Sequence, residues 1–163
     1  MMELVWAGSN QGQLRDYLVA WCAREIWGNP ARDFGNCKAM GVLDDGRLIA
    51  VMVFHNWEPT AEVIEISGAA TSKRWLSRKV LHRMFAYPFE EVGAQTVVMR
   101  VSPKDKALKR MLEAYGFSCY KLPRLRGRYE DELVFTLTDD AWRNNGFHTK
   151  GYIDGQGIRA RSA

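Results

Sequence analysis

Four cations crowd the point where a strand hands over to a helix. They are Lys73, Arg74, Arg78 and Lys79, within the stretch IEISGAATSKRWLSRKVLHRMFAYPF of residues 64–89. A helix N-terminus attracts anions because its first amides lack partners and the macrodipole is positive there. Arg74 and Arg78 fall one helical turn apart in a helix starting near Ser72, and an arginine fork holds phosphate in two bonds. Trp75, Leu76 and Ser77 complete that tip. A tryptophan flanked by arginine either stacks on a base or anchors its helix to the neighbours, the second being commoner. The bland reading of the whole cluster is a solvated basic face.

Proton-transfer candidates stand just upstream. Glu62 and Glu65 are read on the fourth strand with a common side-chain direction, and either carboxylate could take a proton through water. His55 ends the third strand, and its ordinary pKa suits base work. Each of these residue types is more often structural or at the surface. The segment SGAAT follows, and its small residues Ser67, Gly68, Ala69 and Ala70, with Thr71, let a ligand lie against the strand. They serve equally well to let a helix pack above it.

The elements that position these residues follow from periodicity. MELVWA reads as a first strand. Residues 13–27 read as a helix, with Leu14, Leu18, Trp21, Cys22 and Ile26 near 3.6 spacing, stopped by Gly28, Asn29 and Pro30. Two apolar runs around Asp45-Gly46 read as a hairpin. AEVIEISGA is the next strand. The helix from Ser72 runs to about Tyr87, with Leu76, Val80 and Met84 in its stripe and Pro88 ending it. TVVMRVS reads as a strand buried on both faces. Pro103 opens a further helix, which Leu108, Met111, Leu112 and Tyr115 face inward and Gly116 caps. Two more strands surround a polar, arginine-rich loop, and a short helix follows.

The 163 residues fit one domain with one core. No apolar run approaches a membrane span. Cys22, Cys37 and Cys119 are scattered and form no Cys-x-x-Cys pair, so no metal site or disulfide framework is expected. The opening residues show no signal-peptide pattern, and the scattered cysteines make a reducing cytoplasm the expected location. A net charge of +4 favours an anionic ligand without amounting to a nucleic-acid footprint. Residues 146–163 carry four glycines, with Lys150, Arg159 and Arg161, and are read as a flexible tail beyond a domain of residues 1–145.

The order β-α-(α)-β-β-β-α-β-α-β-β, with two pieces of sequence, resembles the GNAT family of acyl-CoA-dependent N-acetyltransferases. One piece is VSPKDKALKRMLEAYGF, residues 101–117, similar to the family's strand, polar helix opening and closing Gly-Phe. The other is the cation-rich tip, which occupies the place of the family's pyrophosphate loop. The combination HNWEP, IEISGAATSKRWLSRKVL and YPFEEVGAQ is similar to a bacterial and phage-associated branch of small GNAT-like proteins. The resemblance spans roughly residues 40–142.

The resemblance implies an α/β fold with a mixed sheet in a single domain, and acetyl-CoA as co-substrate. It implies pyrophosphate on residues Arg74 to Lys79, the pantetheine amides against Ser67 to Thr71, and a further contact at Asp105, where the family has asparagine. Glu65, His55 and Glu62 become candidate bases. A backbone amide near Ala69 or Ala70 would polarise the thioester, with Tyr115 and Tyr120 as candidate acids and Tyr115 more simply a core residue. Two departures stand out. The family's loop pattern Gln/Arg-x-x-Gly-x-Gly/Ala falls on residues 75–80, which lack glycine. The tyrosine that often protonates the departing thiolate falls on Leu112.

The implied activity is direct acetyl transfer in a ternary complex to an amine of a small molecule or peptide. A GNAT-shaped coenzyme-binding or regulatory module is the alternative. A polyanion binder using Arg74, Arg78, Arg124, Arg126 and Arg128 is the third reading. No membrane partner is expected, and the arginine-rich loop is a candidate homodimer contact.

Overall fold

The computed structural model describes residues 1–145. The predicted tail, residues 146–163, lies outside the described residues. Strand β1 (Met2–Ala7) pairs antiparallel with β2 (Cys37–Asp44), which turns back as β3 (Arg47–Glu58). Asp45 and Gly46 make that turn with φ of 51° and 80°. Two consecutive left-handed residues are what a type I′ hairpin needs. Strand β4 (Val63–Ala70) is antiparallel to β3, and β5 (Thr96–Val101) joins β4 in parallel. The last two strands, β6 (Ser118–Gly127) and β7 (Glu130–Thr138), form a hairpin whose second strand inserts beside β5. The order is β1-β2-β3-β4-β5-β7-β6. The chain is thus a single mixed α/β domain.

Helix α1 (Gly12–Trp27) lies on one face of the sheet and buries Leu18, Val19, Trp21 and Cys22 against Val51 and Val53. Gly28 closes it in the left-handed region, φ 69°, and its amide reaches the Arg24 carbonyl at 2.8 Å. The opposite face carries the larger core. There α2 (Arg78–Ala86), α3 (Lys106–Tyr115) and α4 (Asp139–Asn144) cover apolar positions of β2 to β5 and β7. Phe85 stacks on Tyr115 and meets Phe117 edge-on within it, and the Trp142 indole donates to the Tyr115 hydroxyl at 3.1 Å.

Five expectations need correction. The second helix bracketed after α1 is absent, because Gly28, Pro30 and Gly35 break residues 28–36 into turns. The helix expected over residues 72–87 is divided. Lys73–Trp75 is a separate 3-10 turn, and α2 starts only after Ser77, whose Oγ accepts from the Val80 amide at 3.1 Å. Pro88 does not end the coil, since Tyr87–Val92 continues as a π turn. Strand β5 is buried on one face only, through Val97, Met99 and Val101, while Arg100 is exposed. The stretch expected as an arginine-rich loop is an irregular part of β6, whose register with β7 shifts between Leu122 and Gly127.

Candidate active site

The parallel pairing of β4 and β5 lasts three residues, Val63 to Glu65 against Thr96 to Val98. Beyond Glu65 each strand keeps only its outer neighbour. β4 follows β3 to Ala70, and β5 follows β7 to Val101. The sheet therefore splits, and the β4 edge facing the gap leaves the ladder where the small residues begin. A cleft of about 770 Å³ opens there, walled by Trp27 and Phe34 on one side and by Arg100 and Arg126 on the other.

A β-bulge builds the polar floor. The β3–β4 register shifts between His55 and Glu58, and Asn56 takes a left-handed φ of 54°. Bulges of this kind re-aim side chains, and a strained non-glycine residue is characteristic of functional sites. His55 and Glu65 are cross-strand partners, and both line the cleft. The His55 Nε2 lies 2.8 Å from the Ser67 Oγ and 3.9 Å from the Glu65 Oε2. The Asn56 amide nitrogen donates to the Glu65 Oε1 at 2.9 Å. Phe34 meets the His55 ring edge-on at 5.0 Å between centroids, and Trp27 backs Phe34 at 5.2 Å.

His55 is 7% exposed. Burial holds its imidazole below the ordinary histidine value, and the Glu65 carboxylate only partly offsets that. The ring is therefore neutral at pH 7 and able to accept a proton. Ser67 and Glu65 both approach the same ring nitrogen. In a nucleophile triad the carboxylate orients the ring from the other nitrogen. The cluster is thus arranged for proton exchange rather than for serine activation.

The remaining sequence candidates separate. Glu62 is not on β4: it precedes the strand with φ 59°, is exposed, and is not a lining residue of the cleft. Its expected common direction with Glu65 fails because side chains alternate along a strand and the two are three positions apart. Gly68 sits where a Cβ would run into the Met52 sulfur, which explains the glycine by packing. Ser67, Gly68, Ala69 and Ala70 line the cleft, and Thr71 lies beyond it, its amide bonded to the Ile49 carbonyl at 2.9 Å. Asp105 lines the far end of the cleft and caps α3, accepting from the Leu108 amide at 3.1 Å.

At the cation-rich tip, Trp75 is buried at 7% exposure and belongs to the core, so it anchors the turn rather than offering a stacking face. Arg74 is not a helical turn from Arg78. It stands on the separate 3-10 turn and pairs with Asp44 at 2.6 Å. Leu76 is exposed, Ser77 is the α2 cap, and Arg78 and Lys79 occupy the exposed first turn. Leu112 is buried at 1%, and burial pushes the Tyr115 phenol up to about 12, so neither faces the cleft as an acid. Tyr120 is exposed on β6.

Asn56, Arg100 and Glu132 were not among the sequence candidates. Arg100 breaks the apolar run of TVVMRV, and Glu132 sits at an alternating position of β7, which are the signals that mark them. Among the described residues no group of three or more His, Cys, Asp or Glu could hold a metal ion. Among them, too, no helix is long and apolar enough to cross a membrane.

No family model and no curated protein matches the sequence. Solved structures do. Mutant forms of the spermidine/spermine N-acetyltransferase SpeG from Vibrio cholerae superpose with a TM-score of 0.67 at 15% identity, over 88% of this chain and 98% of theirs. The protein yncA from Salmonella typhimurium, solved with its cofactor acetyl-CoA, gives 0.60 at 13% identity, over 83% of this chain and 93% of its own. A structure described as that of a probable acetyltransferase gives 0.56 at 20% identity over 64% of this chain, which spans only 63% of that protein's length. The chain has the fold of the GNAT acetyltransferases.

Proposed function

We propose that the protein is an N-acetyltransferase that moves an acetyl group from acetyl-CoA to an amine by direct attack in a ternary complex. The observation that carries this reading is a buried histidine facing a carboxylate, Glu65, that stands at the vertex of a split between parallel strands. The gap exposes a strand edge of small residues, which fits an extended amide-bearing chain lying along it. Arg78 and Lys79 would face the phosphates at the first turn of α2, without the close backbone approach that glycines allow.

Acetyl-CoA supplies the activated acyl group, and the chain's own residues handle the acceptor. Glu65 and His55 hold the acceptor nitrogen, and its proton passes to the His55 imidazole or through water to Glu65. The neutral nitrogen then forms a bond to the acyl carbon as the carbon–sulfur bond breaks. The bonded nitrogen gives up its second proton through water and the thiolate takes one up the same way, leaving an amide and the free thiol, while the proton on His55 returns to solvent. Glu65, 3.9 Å away, stabilises the imidazolium while it carries the proton.

A coenzyme-binding module without turnover is the second reading. It is favoured by Arg74 being held by Asp44 and by the buried Leu112. A thermal-shift titration with acetyl-CoA, followed by thiol release over an amine panel, separates the two. Binding at a hundred times Kd contributes about 2.7 kcal/mol. Stabilisation with thiol release supports the enzyme, stabilisation alone supports the module, and no stabilisation at millimolar acetyl-CoA refutes both.

A further inference from the structure

The far wall of the cleft holds a charge cluster that the proton-transfer chemistry does not use. Glu132 on β7 is 1% exposed. Its Oε2 accepts from the Nε of Arg100 at 3.0 Å and from the Nη2 at 2.8 Å, and its Oε1 accepts from the Nη1 of Arg126 at 2.6 Å. A buried carboxylate demands such partners, so both guanidinium groups are fixed in place. Neither arginine is used up by it. The side chains of Arg100 and Arg126 are 46% and 27% exposed, and both line the cleft. A guanidinium has five N–H donors, of which Arg100 directs two at Glu132 and Arg126 one, the Arg126 Nε also lying 3.9 Å from the Glu130 carboxylate.

The backbone is shaped to make this wall. Arg124 has φ 58°, its amide donates to the Asp131 carboxylate at 2.9 Å, and the β6 register is lost between Leu122 and Gly127. That irregular segment lays Leu125 and Arg126 into the cleft. A second irregularity, at Asn56, builds the polar floor at the histidine end. Two strained segments in different strands therefore aim side chains into one space. The walls differ in charge. Glu25, Asp33 and Glu65 face the histidine end, where the lining cation is Arg32, stacked over Trp27 at 4.1 Å.

We infer that the acceptor is a zwitterion, an amino acid or peptide end whose amine meets Glu65 and His55 and whose carboxylate meets Arg100 and Arg126. This inference rests on the acetyltransferase reading for the role of the amine end. It adds the substrate class. Two guanidinium groups already converge on one carboxylate in the resting fold, and planar two-point recognition of a second is what their geometry favours. A plain polyamine has no carboxylate to accept from the guanidinium donors that Glu132 leaves unused.

The test uses the full chain saturated with coenzyme A. Melting temperature is recorded with the twenty amino acids, with their carboxamides and with spermidine. Thiol release from acetyl-CoA is followed on the same panel. At least one amino acid should raise the melting temperature where its carboxamide does not, and its kcat/KM should exceed the carboxamide's about 30-fold or more. Arg126→Lys, which keeps charge but loses the fork, should shrink that acid-to-amide ratio about tenfold. Equal response to acids and carboxamides, or response to spermidine alone, overturns the carboxylate site even where thiol release is brisk. Acid-selective stabilisation with no thiol release from any amine keeps the carboxylate site and refutes the transferase. The acid-to-amide comparison in the unmodified protein decides the matter whether or not the variant folds.

Discussion

The two faces of this sheet are built to different ends. One is closed: α2, α3 and α4 cover it, and Trp142, Phe85, Phe135 and Leu112 are all at 1% exposure or less. The other is closed only where α1 lies on β1 to β4. Past that helix β3 and β4 present His55 and Glu65 to the cleft, and β5 and β7 present Arg100 and Glu132. Alternation along β4 and β5 makes the contrast residue by residue, since Ile64, Ile66, Val97 and Met99 feed the core. The missing second helix after α1 is what leaves the polar half open. The larger core lies on one face, the proposed function puts the chemistry on the other, and substitutions should sort accordingly.

The largest effect is expected from the closed face. Trp142→Ala removes a fully buried indole and should cost about 3–5 kcal/mol in chemical denaturation. Glu65→Gln, on the open face, should stay within about 1 kcal/mol while reducing turnover. Equal destabilisation by the two would break the division. His55→Gln comes next: kcat/KM for the best acceptor should fall about 10²- to 10⁴-fold with little loss of stability. A destabilisation comparable to Trp142→Ala would make His55 a packing residue instead.

Gly68→Ala should cost about 1–3 kcal/mol, because the new methyl meets the Met52 side chain and the Val51 carbonyl. Combining it with Met52→Ala should recover part of that in a double-mutant cycle. A coupling near zero would return Gly68 to the ligand side of the account. The smallest effect concerns pH. Burial depresses the folded-state pKa of His55, so the unfolded chain binds its proton more readily. Stability is full above the unfolded pKa near 6.5 and falls as pH drops through the folded value. His55→Gln should remove that acid slope, and an unchanged slope would place its origin in other groups.

Much of this was legible in the sequence for a physical reason. Apolar period fixed the strands and α1, and Asp45-Gly46 fixed the first hairpin, since both are local signals. His55 and Glu65 were readable as candidates, but their pairing is a matter of β3–β4 register, which a bulge at Asn56 sets. The tip at residues 73–79 was misread for a different cause. Ser72 and Ser77 are both good caps, and the burial of Trp75 between them decides that the helix starts at the second. Arg74 then turns to Asp44, thirty residues back, a contact no local pattern predicts. Glu132 was hidden likewise, because its two arginines come from β5 and β6.

The central claim is that the split beyond Glu65 and Val98 seats the acyl donor beside His55. A crystal structure with acetyl-CoA tests it most directly. The account predicts the pantetheine chain along Ser67 to Ala70, the thioester carbonyl within water-mediated reach of the His55 and Glu65 side chains, and the phosphates at Arg78 and Lys79. A coenzyme bound elsewhere, or a split that stays closed to it at saturating concentration, would contradict the claim.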